Sequence, residues 1–196
     1  STAAAGSSLE WAMQNLLQCN LEELDVLLAR SQPGANGICF LPYLAGERTP
    51  LWNPWASGSL LGLRLETTKS DIARAVIEGL AFSVGQIAAV GAECGVHMNE
   101  VFLAGGLARN DLLCQIKADV LNIPVKIFRD HELTSIGLVV IMAVSMGYFK
   151  DMPQATQSFT KVEKEFTPNT NTQKMHVDAF KKYQKYSKAL APLYTS

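Results

Sequence analysis

The chain has 196 residues, of which 48% are hydrophobic, and its 17 Lys and Arg nearly balance its 18 Asp and Glu. A chain of this size buries roughly 70% of its unfolded surface on folding, which is enough for one substantial core. The balanced charge, without any Lys/Arg block, excludes the electrostatic footprint of a nucleic-acid-binding protein. We therefore expect one domain over residues 1–196 and no nucleic-acid partner.

Cysteine spacing and apolar runs indicate the cellular environment. The cysteines are widely spaced and form no CxxC pair, so we expect reduced core thiols in a cytoplasmic protein. They are Cys19, Cys39, Cys94 and Cys114. The longest apolar run, 137–147, is about half of the roughly 20 residues needed to cross a bilayer, so we expect no membrane partner. The chain begins with Ser1 rather than Met, which suggests a piece of a longer protein.

The first half of the sequence predicts three helices and two strands. Residues Ser7 to Glu10 have the capping-box pattern S-x-x-E and predict a helix over 8–18. A second helix is predicted at 21–30. Two strands follow at 37–41 and 59–65, and a long ordered loop at 46–58 lies between them. Thr68 is a good N-cap for a helix of about 25 residues that ends at Gly95.

The second half alternates strands with helices, which is typical of an α/β layered domain. The predicted elements are a strand at 101–104, a helix at 110–121, a strand at 125–128 and a helix at 135–146. Residues 151–170 are polar and weakly patterned, so no regular element is predicted there. A terminal helix is predicted over 173–189.

The sequence lacks the common phosphate-binding motifs, serine-hydrolase elbows and metal-ligand spacings. We expect its histidines, which are His97, His131 and His176, to be solvated or structural. The remaining candidate is the turn Gly105-Gly106, which follows a strand and precedes a helix. There the backbone can approach a ligand closely while helix N–H groups face negative charge, as in a nucleotide cradle. The alternative is a tight connection in which Asn110 only caps the helix.

Four blocks of the sequence resemble the FGGY carbohydrate kinases and occur in the same order as in that family. The block from Leu103 to Asp111, with Gln115 and Asp119, is similar to the second signature of that family. The others are residues 40–50 (FLPYLAGERTP) continuing through 58–63, residues 78–82 (EGLAF) and residues 132–137 (ELTSIG). The first of these is similar to a loop of the xylulokinase and gluconokinase branches. The resemblance covers essentially the whole chain.

The resemblance implies an actin-like ATPase fold, with this chain as the ribonuclease-H-like, C-terminal half of a two-domain sugar kinase. ATP would lie between the halves, and the sugar or polyol would bind mainly to an N-terminal domain absent from this chain. Such kinases transfer a phosphoryl group from ATP and Mg²⁺ to a sugar hydroxyl. Their catalytic base is an Asp upstream of the position of Gly6, so we expect no catalytic residue and no metal ligand here. A homo-oligomer is left open.

By the same resemblance, nucleotide contacts fall on Gly6, Glu10, Gly105, Gly106 and Asn110. The glycines would let the backbone approach the nucleotide, and the Asn110 amide would contact adenine or ribose. Glu10 departs from the Gln that is usual in glycerol kinases. Its alternative role is the last residue of the capping box that begins at Ser7.

The loop pair Glu47 and Arg48 has two interpretations. The Arg48 guanidinium could position the phosphate or the sugar, or the two side chains could form an ordinary salt bridge. We expect the tryptophans, which are Trp11, Trp52 and Trp55, to pack in the core or against the loop. Two other functions stay open: a different actin-like ATPase, and a non-catalytic regulatory domain that keeps the fold without the chemistry.

Overall fold

The computed structural model describes residues 5–104, 106–129 and 133–195. Its α-helices are α1 (Ala5–Trp11), α2 (Leu21–Ala29), α3 (Lys69–Glu93), α4 (Asp111–Leu121), α5 (Leu133–Ser145), α6 (Met152–Phe159) and α7 (Gln173–Leu190). Its strands are β1 (Cys39–Leu41), β2 (Ser59–Leu61), β3 (Val101–Leu103), β4 (Val125–Phe128) and β5 (Val162–Phe166). Short 3-10 turns cover Ala35–Gly37, Gly106–Arg109 and Ala191–Leu193.

The strands form two small sheets. Strands β3 and β4 are parallel, and β5 joins β4 in the antiparallel direction, so that Val125 pairs with Val101 on one side and Phe166 on the other. Strands β1 and β2 form a separate antiparallel pair. Helix α4 is the crossover between β3 and β4, as parallel strands require. The predicted alternation of strands and helices is confirmed.

Helix α3 is the central element of the fold. It begins with the predicted cap: the Thr68 side chain accepts from the Asp71 N–H, and the Asp71 carboxylate accepts from the Thr68 N–H. Within the described ranges, only α3 is long and apolar enough to cross a membrane, and half of its most apolar stretch is buried. It packs against α2, α4, α7 and β1, so its length and apolar character serve the core.

The core consists of three adjoining clusters of buried side chains. The largest joins α1, α2, β1, α3 and α4 and includes Leu9, Leu24 and Leu113. A second packs α7 against β1 and α3 around Tyr183. The third lies between α4 and the strands β3 and β4. Helices α3 and α4 therefore support the two sheets and the segments that carry the candidate site.

The predicted helix at 8–18 differs in its start and in its second half. Helix α1 already includes Ala5 and Gly6, so Ser7 lies inside the helix and the predicted capping box is wrong. A π-helical segment, Ala12–Leu17, follows directly and ends at Gln18, which adopts a left-handed conformation with φ of 45°. Such π-helical segments are rare in proteins, and those that occur often lie at functional sites.

Two elements lie in the region for which no regular structure was predicted. Helix α6 is capped by Asp151, whose carboxylate accepts from the Gln154 N–H at 2.9 Å, and Pro153 lies in its first turn. This arrangement is a standard helix start. Strand β5 lies at the edge of its sheet and exposes most of its side chains, so it lacks the alternation of a half-buried strand.

The four cysteines, all of which lie in the described ranges, form no disulfide bond with one another, and only two of them are fully buried. Burial raises the pKa of Cys39 to about 12, and it also raises the pKa of Cys114. Cys19 is partly buried. Cys94 is exposed because it lies at the C-terminal end of α3, where the chain turns away through Gly95, so its predicted core position is wrong.

Candidate functional site

Two of the predicted nucleotide residues line one cavity of about 590 Å³. Gly6 and Glu10 lie one turn apart on α1. The remaining lining residues are Leu9, Met13, Gln14, Cys19 and Leu21, from α1, the π-helical segment and the start of α2. The start of the chain thus forms an open recess with an apolar floor, of a size that accommodates a small organic ligand.

Gly6 lies beside empty space. A Cβ atom built at this position would meet no heavy atom of the described residues within 4 Å, so the packing of that part of the chain does not require glycine here. Glycine in a helix destabilises it by roughly 0.5–1 kcal/mol relative to alanine. A ligand that approaches the backbone from the cavity gives this position a reason to lack a side chain.

Glu10 presents an exposed carboxylate to the same cavity. Its Oε1 accepts a hydrogen bond from Gln14 Nε2 at 3.3 Å, one turn later on the same face. Because the capping box does not form, the alternative role predicted for Glu10 is removed. An ionised carboxylate only accepts hydrogen bonds, so Glu10 suits a ligand with hydroxyl or amine donors.

The glycine turn leads directly into the core. Gly105 lies outside the described residues. Gly106 opens the 3-10 turn Gly106–Arg109, in which Ala108 is buried and accepts a hydrogen bond from the Cys114 thiol at 3.7 Å. The predicted strand, turn and helix are present in that order, and the turn is held against α4.

Asn110 has two side-chain partners among the described residues. Its Oδ1 accepts from the Leu113 N–H at 2.9 Å, which confirms it as the N-cap of α4. Its Nδ2 donates to Asp25 Oδ1 at 2.8 Å. Asp25 lies on α2 one helical turn, about 5.4 Å, after Leu21, which lines the cavity. Helix α2 therefore connects the cavity to the glycine turn, and the carboxylate of Asp25 holds the Asn110 amide in place.

Ser8 is a buried residue that the sequence did not indicate. Its hydroxyl donates to the Pro42 carbonyl at 3.3 Å, which ties α1 to the beginning of the loop at 40–50. Sequence reasoning assigned Ser8 to the interior of a capping box and so missed this contact. The spacing of polar residues gives no signal for a hydrogen bond across 34 positions.

The loop around Glu47 is tightly built. Glu47 is buried, its Oε1 accepts from the Arg48 N–H at 2.8 Å, and its backbone exchanges two hydrogen bonds with Asn53. Gly46 has a φ of 73°, and a Cβ there would lie 2.8 Å from the Pro54 oxygen, so this position requires glycine. Glu47 shapes the loop.

Arg48 and the tryptophans of the loop face outward. Arg48 is exposed beside Trp52 at a cavity of about 450 Å³. Trp52 is 73% exposed and Trp55 is 60% exposed, so neither ring lies in the core, which was one of the two positions predicted for them. The Asn53 side chain accepts from the Trp55 N–H at 2.8 Å, which holds the turn that directs both rings to the surface. Trp11 is also exposed.

Glu78, in the resemblance block at 78–82, anchors a buried polar network. Its carboxylate accepts from the Gly34 N–H at 3.0 and 3.1 Å and from Arg74 Nε at 2.8 Å. His176 Nε2 lies 3.3 Å from the same carboxylate. This block therefore joins α3 to the segment before β1 and to α7, and its role is structural. His176 is structural as predicted, His97 is exposed, and His131 lies outside the described residues.

Metal ligands do not cluster in the described part of the chain. In that part of the chain, no three or more His, Cys, Asp or Glu residues lie close enough together to hold a metal ion. Among the described residues that line the cavity beside Gly6, Glu10 is the single carboxylate.

Comparison with protein families decides the wider assignment. Residues 1–146 match the model of the FGGY family of carbohydrate kinases, C-terminal domain. The chain belongs to this family. The matched region includes both the cavity beside Gly6 and the glycine turn, while α6, β5 and α7 lie after it.

Curated relatives of the FGGY chain are sugar and polyol kinases. It is 36% identical over 184 residues to a xylulose kinase of Staphylococcus epidermidis, covering 93% of the chain and 37% of the relative. It is 37% identical over 155 residues to a glycerol kinase of Citrifermentans bemidjiense, covering 78% of the chain and 31% of the relative. The chain thus spans about a third of the length of these relatives.

Solved structures support the same assignment. A ligand-bound xylulose kinase from Lactobacillus acidophilus superposes with a TM-score of 0.88 at 27% identity, covering 96% of this chain and 39% of the other. The predicted fold is confirmed: an α/β, ribonuclease-H-like domain of the actin-like ATPase superfamily. The resemblance to the xylulokinase-like branch is also confirmed.

Proposed function

We propose that this FGGY chain is the nucleotide-binding half of a cytoplasmic, ATP-dependent sugar or polyol kinase. An N-terminal domain outside residues 1–196 supplies the catalytic base and most of the sugar site. The observation that carries the proposal is the family match over 1–146, which contains both the recess beside Gly6 and the glycine turn. The 37% share of the xylulose kinase that this chain covers supports a second, larger part.

The nucleotide binds between α1 and the glycine turn in this proposal. The backbone at Gly6 lies against it, Glu10 accepts hydrogen bonds from the ribose hydroxyls, and Gly105 and Gly106 approach it from the other side. Asn110 contacts the nucleoside only if its amide leaves Asp25. We therefore assign Asn110 first to holding the turn and second to direct contact.

Phosphoryl transfer needs positioning, neutralisation of charge and a base on the attacking hydroxyl. Mg²⁺ supplies the neutralisation when it is bound with ATP. The residues of this chain contribute the positioning: the rigid loop around Glu47 presents the Arg48 guanidinium, which is suited to a phosphate or a sugar oxygen. Neither nucleic acid nor a membrane has a part in this proposal.

The alternative functions have less support. A regulatory domain or a different actin-like ATPase would share the fold, but the relatives with 36% and 37% identity are a xylulose kinase and a glycerol kinase. The test is an ADP-release assay of the longer parent protein with a panel of pentuloses, hexonates and polyols. We expect stimulation by at least one acceptor. No stimulation by any member of the panel would favour the regulatory domain.

Replacement of Gly6 by alanine tests the nucleotide site separately from the fold. Because the added methyl group meets no atom of another described segment within 4 Å, we expect Gly6→Ala to keep or slightly raise the thermal stability. The methyl group occupies space that the nucleotide needs, so we expect ATP binding by calorimetry to weaken about tenfold, or ~1.4 kcal/mol.

Gly137→Ala on α5 is the matched control, because a Cβ there also meets no atom of the described residues within 4 Å and Gly137 is not among the residues that line the cavity. We expect normal ATP affinity in this variant. Equal ATP affinity in both variants would remove Gly6 from the nucleotide site while leaving the family assignment intact.

A further inference from the structure

A second cavity of about 640 Å³ lies away from the predicted nucleotide residues. It is bounded by the second half of α3, one face of α7, and the two segments that precede β3 and β4. The rings of Phe82 on α3 and Phe180 on α7 stack at its inner end, with centroids 5.5 Å apart.

The position of this cavity separates it from the candidate nucleotide site. Its lining residues 97–99 precede β3, and its lining residues 120–123 precede β4. The glycine turn follows the other end of β3. Because β3 and β4 are parallel, the cavity lies at the amino ends of these strands and the glycine turn at the carboxyl ends. The two sites are on opposite edges of the sheet.

The walls of the cavity are mainly apolar, and the charged side chain among its described lining residues is positive. Phe82, Val120, Ile123 and Phe180 form much of the surface. Lys181 and His97 are exposed at the rim, and no carboxylate occurs among the described residues that line the cavity. An apolar recess with a lysine ammonium at its mouth is complementary to a ligand with an apolar body and one negative charge.

His176 adds a second observation at the same place. It lines the cavity, it is almost fully buried, and neither ring nitrogen makes a hydrogen bond among the described residues. Nε2 lies 3.3 Å from Glu78 Oε1 without the direction that a hydrogen bond requires. Buried polar atoms normally have partners, so the imidazole, besides its structural place beside Glu78, offers a polar contact in the cavity wall.

We propose that this cavity binds a small amphipathic anion, such as a medium-chain carboxylate. Its apolar chain packs between α3 and α7 against Phe82 and Phe180, and its carboxylate lies at the mouth beside the Lys181 ammonium. This binding site is additional to the proposed kinase function and does not depend on it.

Octanoate, with octanol as its neutral counterpart, is the probe. We expect octanoate to bind the protein in calorimetry and octanol to bind at least tenfold more weakly. Lys181→Gln removes the charge and should weaken octanoate about tenfold while leaving octanol unchanged. Lys188→Gln, a similar change on α7 outside the cavity, should bind octanoate normally. Ala92→Trp places a large ring at the cavity wall and should abolish binding.

Three results would overturn the proposal. Equal binding of octanol and octanoate would remove the anion site. Equal octanoate affinity in the Lys181 and Lys188 variants, or normal affinity in Ala92→Trp, would place the ligand elsewhere, for example on the exposed face of α5. A dimer in sedimentation experiments that Ala92→Trp dissociates would identify a second copy of the chain as the occupant. Circular dichroism of each variant separates these results from misfolding.

Discussion

Charged side chains are usually exposed and apolar side chains are usually buried, but α3 and α5 show the opposite. Helix α3 carries Asp71, Arg74 and Glu78 within its most buried stretch. Helix α5 has no charged residue, yet only Val140 and Ala143 are buried. Its exposed apolar side chains are Leu138, Val139, Ile141 and Met142. Apolar sequence alone therefore does not determine which helix is inside.

The difference lies in the neighbours of each helix. Helix α3 is packed on by α2, α4, α7 and β1, and each of its three buried charged side chains, Asp71, Arg74 and Glu78, has a partner within the protein. Helix α5 packs mainly against α6. Burial of a charge is tolerated where hydrogen bonds replace water, and an apolar face stays exposed where no element covers it. The larger part of the proposed kinase would give the α5 face a partner.

Glu78→Gln tests whether the buried charges of α3 stabilise the protein, and it has the largest expected effect on stability. The substitution leaves the buried Arg74 guanidinium without its carboxylate and weakens the bond to the Gly34 N–H. Loss of one partner of a buried ion pair typically costs about 3–5 kcal/mol. We expect a decrease of that size in the free energy of unfolding, measured by urea denaturation.

Glu93→Gln makes the same change at the exposed end of α3 and should alter stability by less than about 0.5 kcal/mol. Similar losses in the two variants would show that the Glu78 network adds nothing beyond general helix electrostatics.

Asp71→Asn tests the cap of the same helix through pH. Burial alone would raise the pKa of Asp71, but hydrogen bonds from Thr68, Ser31 and Asn36 outweigh it and hold the pKa below its usual 3.8. A lowered folded-state pKa stabilises the protein fully above the unfolded-state value, and this contribution is lost as the pH falls through the folded value. We expect Asp71→Asn to cost about 1–2 kcal/mol at pH 7.

The pH dependence gives this experiment its control. The difference between the wild type and Asp71→Asn should shrink when chemical denaturation is repeated at progressively lower pH below 3.8. A difference that stays constant over that range would mean that the charge of Asp71 contributes nothing and that only its shape matters.

The sequence predicted most of the fold because its signals were local. The N-cap at Thr68, the alternation of strands and helices, and the N-cap at Asn110 each depend on residues close together in the chain. Strand β5 was missed because an exposed edge strand shows no apolar alternation. Ser7 was misread because a capping pattern also occurs inside helices.

The site was less predictable because its contacts are distant in sequence. Asn110 was indicated, but its bond to Asp25 joins positions 85 residues apart, and the Ser8 contact with Pro42 spans 34. Periodicity contains no information about such pairs. The outward-facing Trp52 has the same cause, since aromatic residues in a loop predict burial only if something covers them.

The smallest effect is expected on α5, where two neighbouring valines separate burial from sequence. Val140 is 4% exposed and Val139 is 45% exposed. Val140→Ala removes two buried methyl groups and should destabilise the protein by about 1–2 kcal/mol. Val139→Ala loses little burial and gains helix propensity, so its effect should lie within about 0.5 kcal/mol of zero. Urea denaturation of both variants measures the difference. Equal, large losses would show that Val139 is covered in solution, and α5 would then be buried like α3.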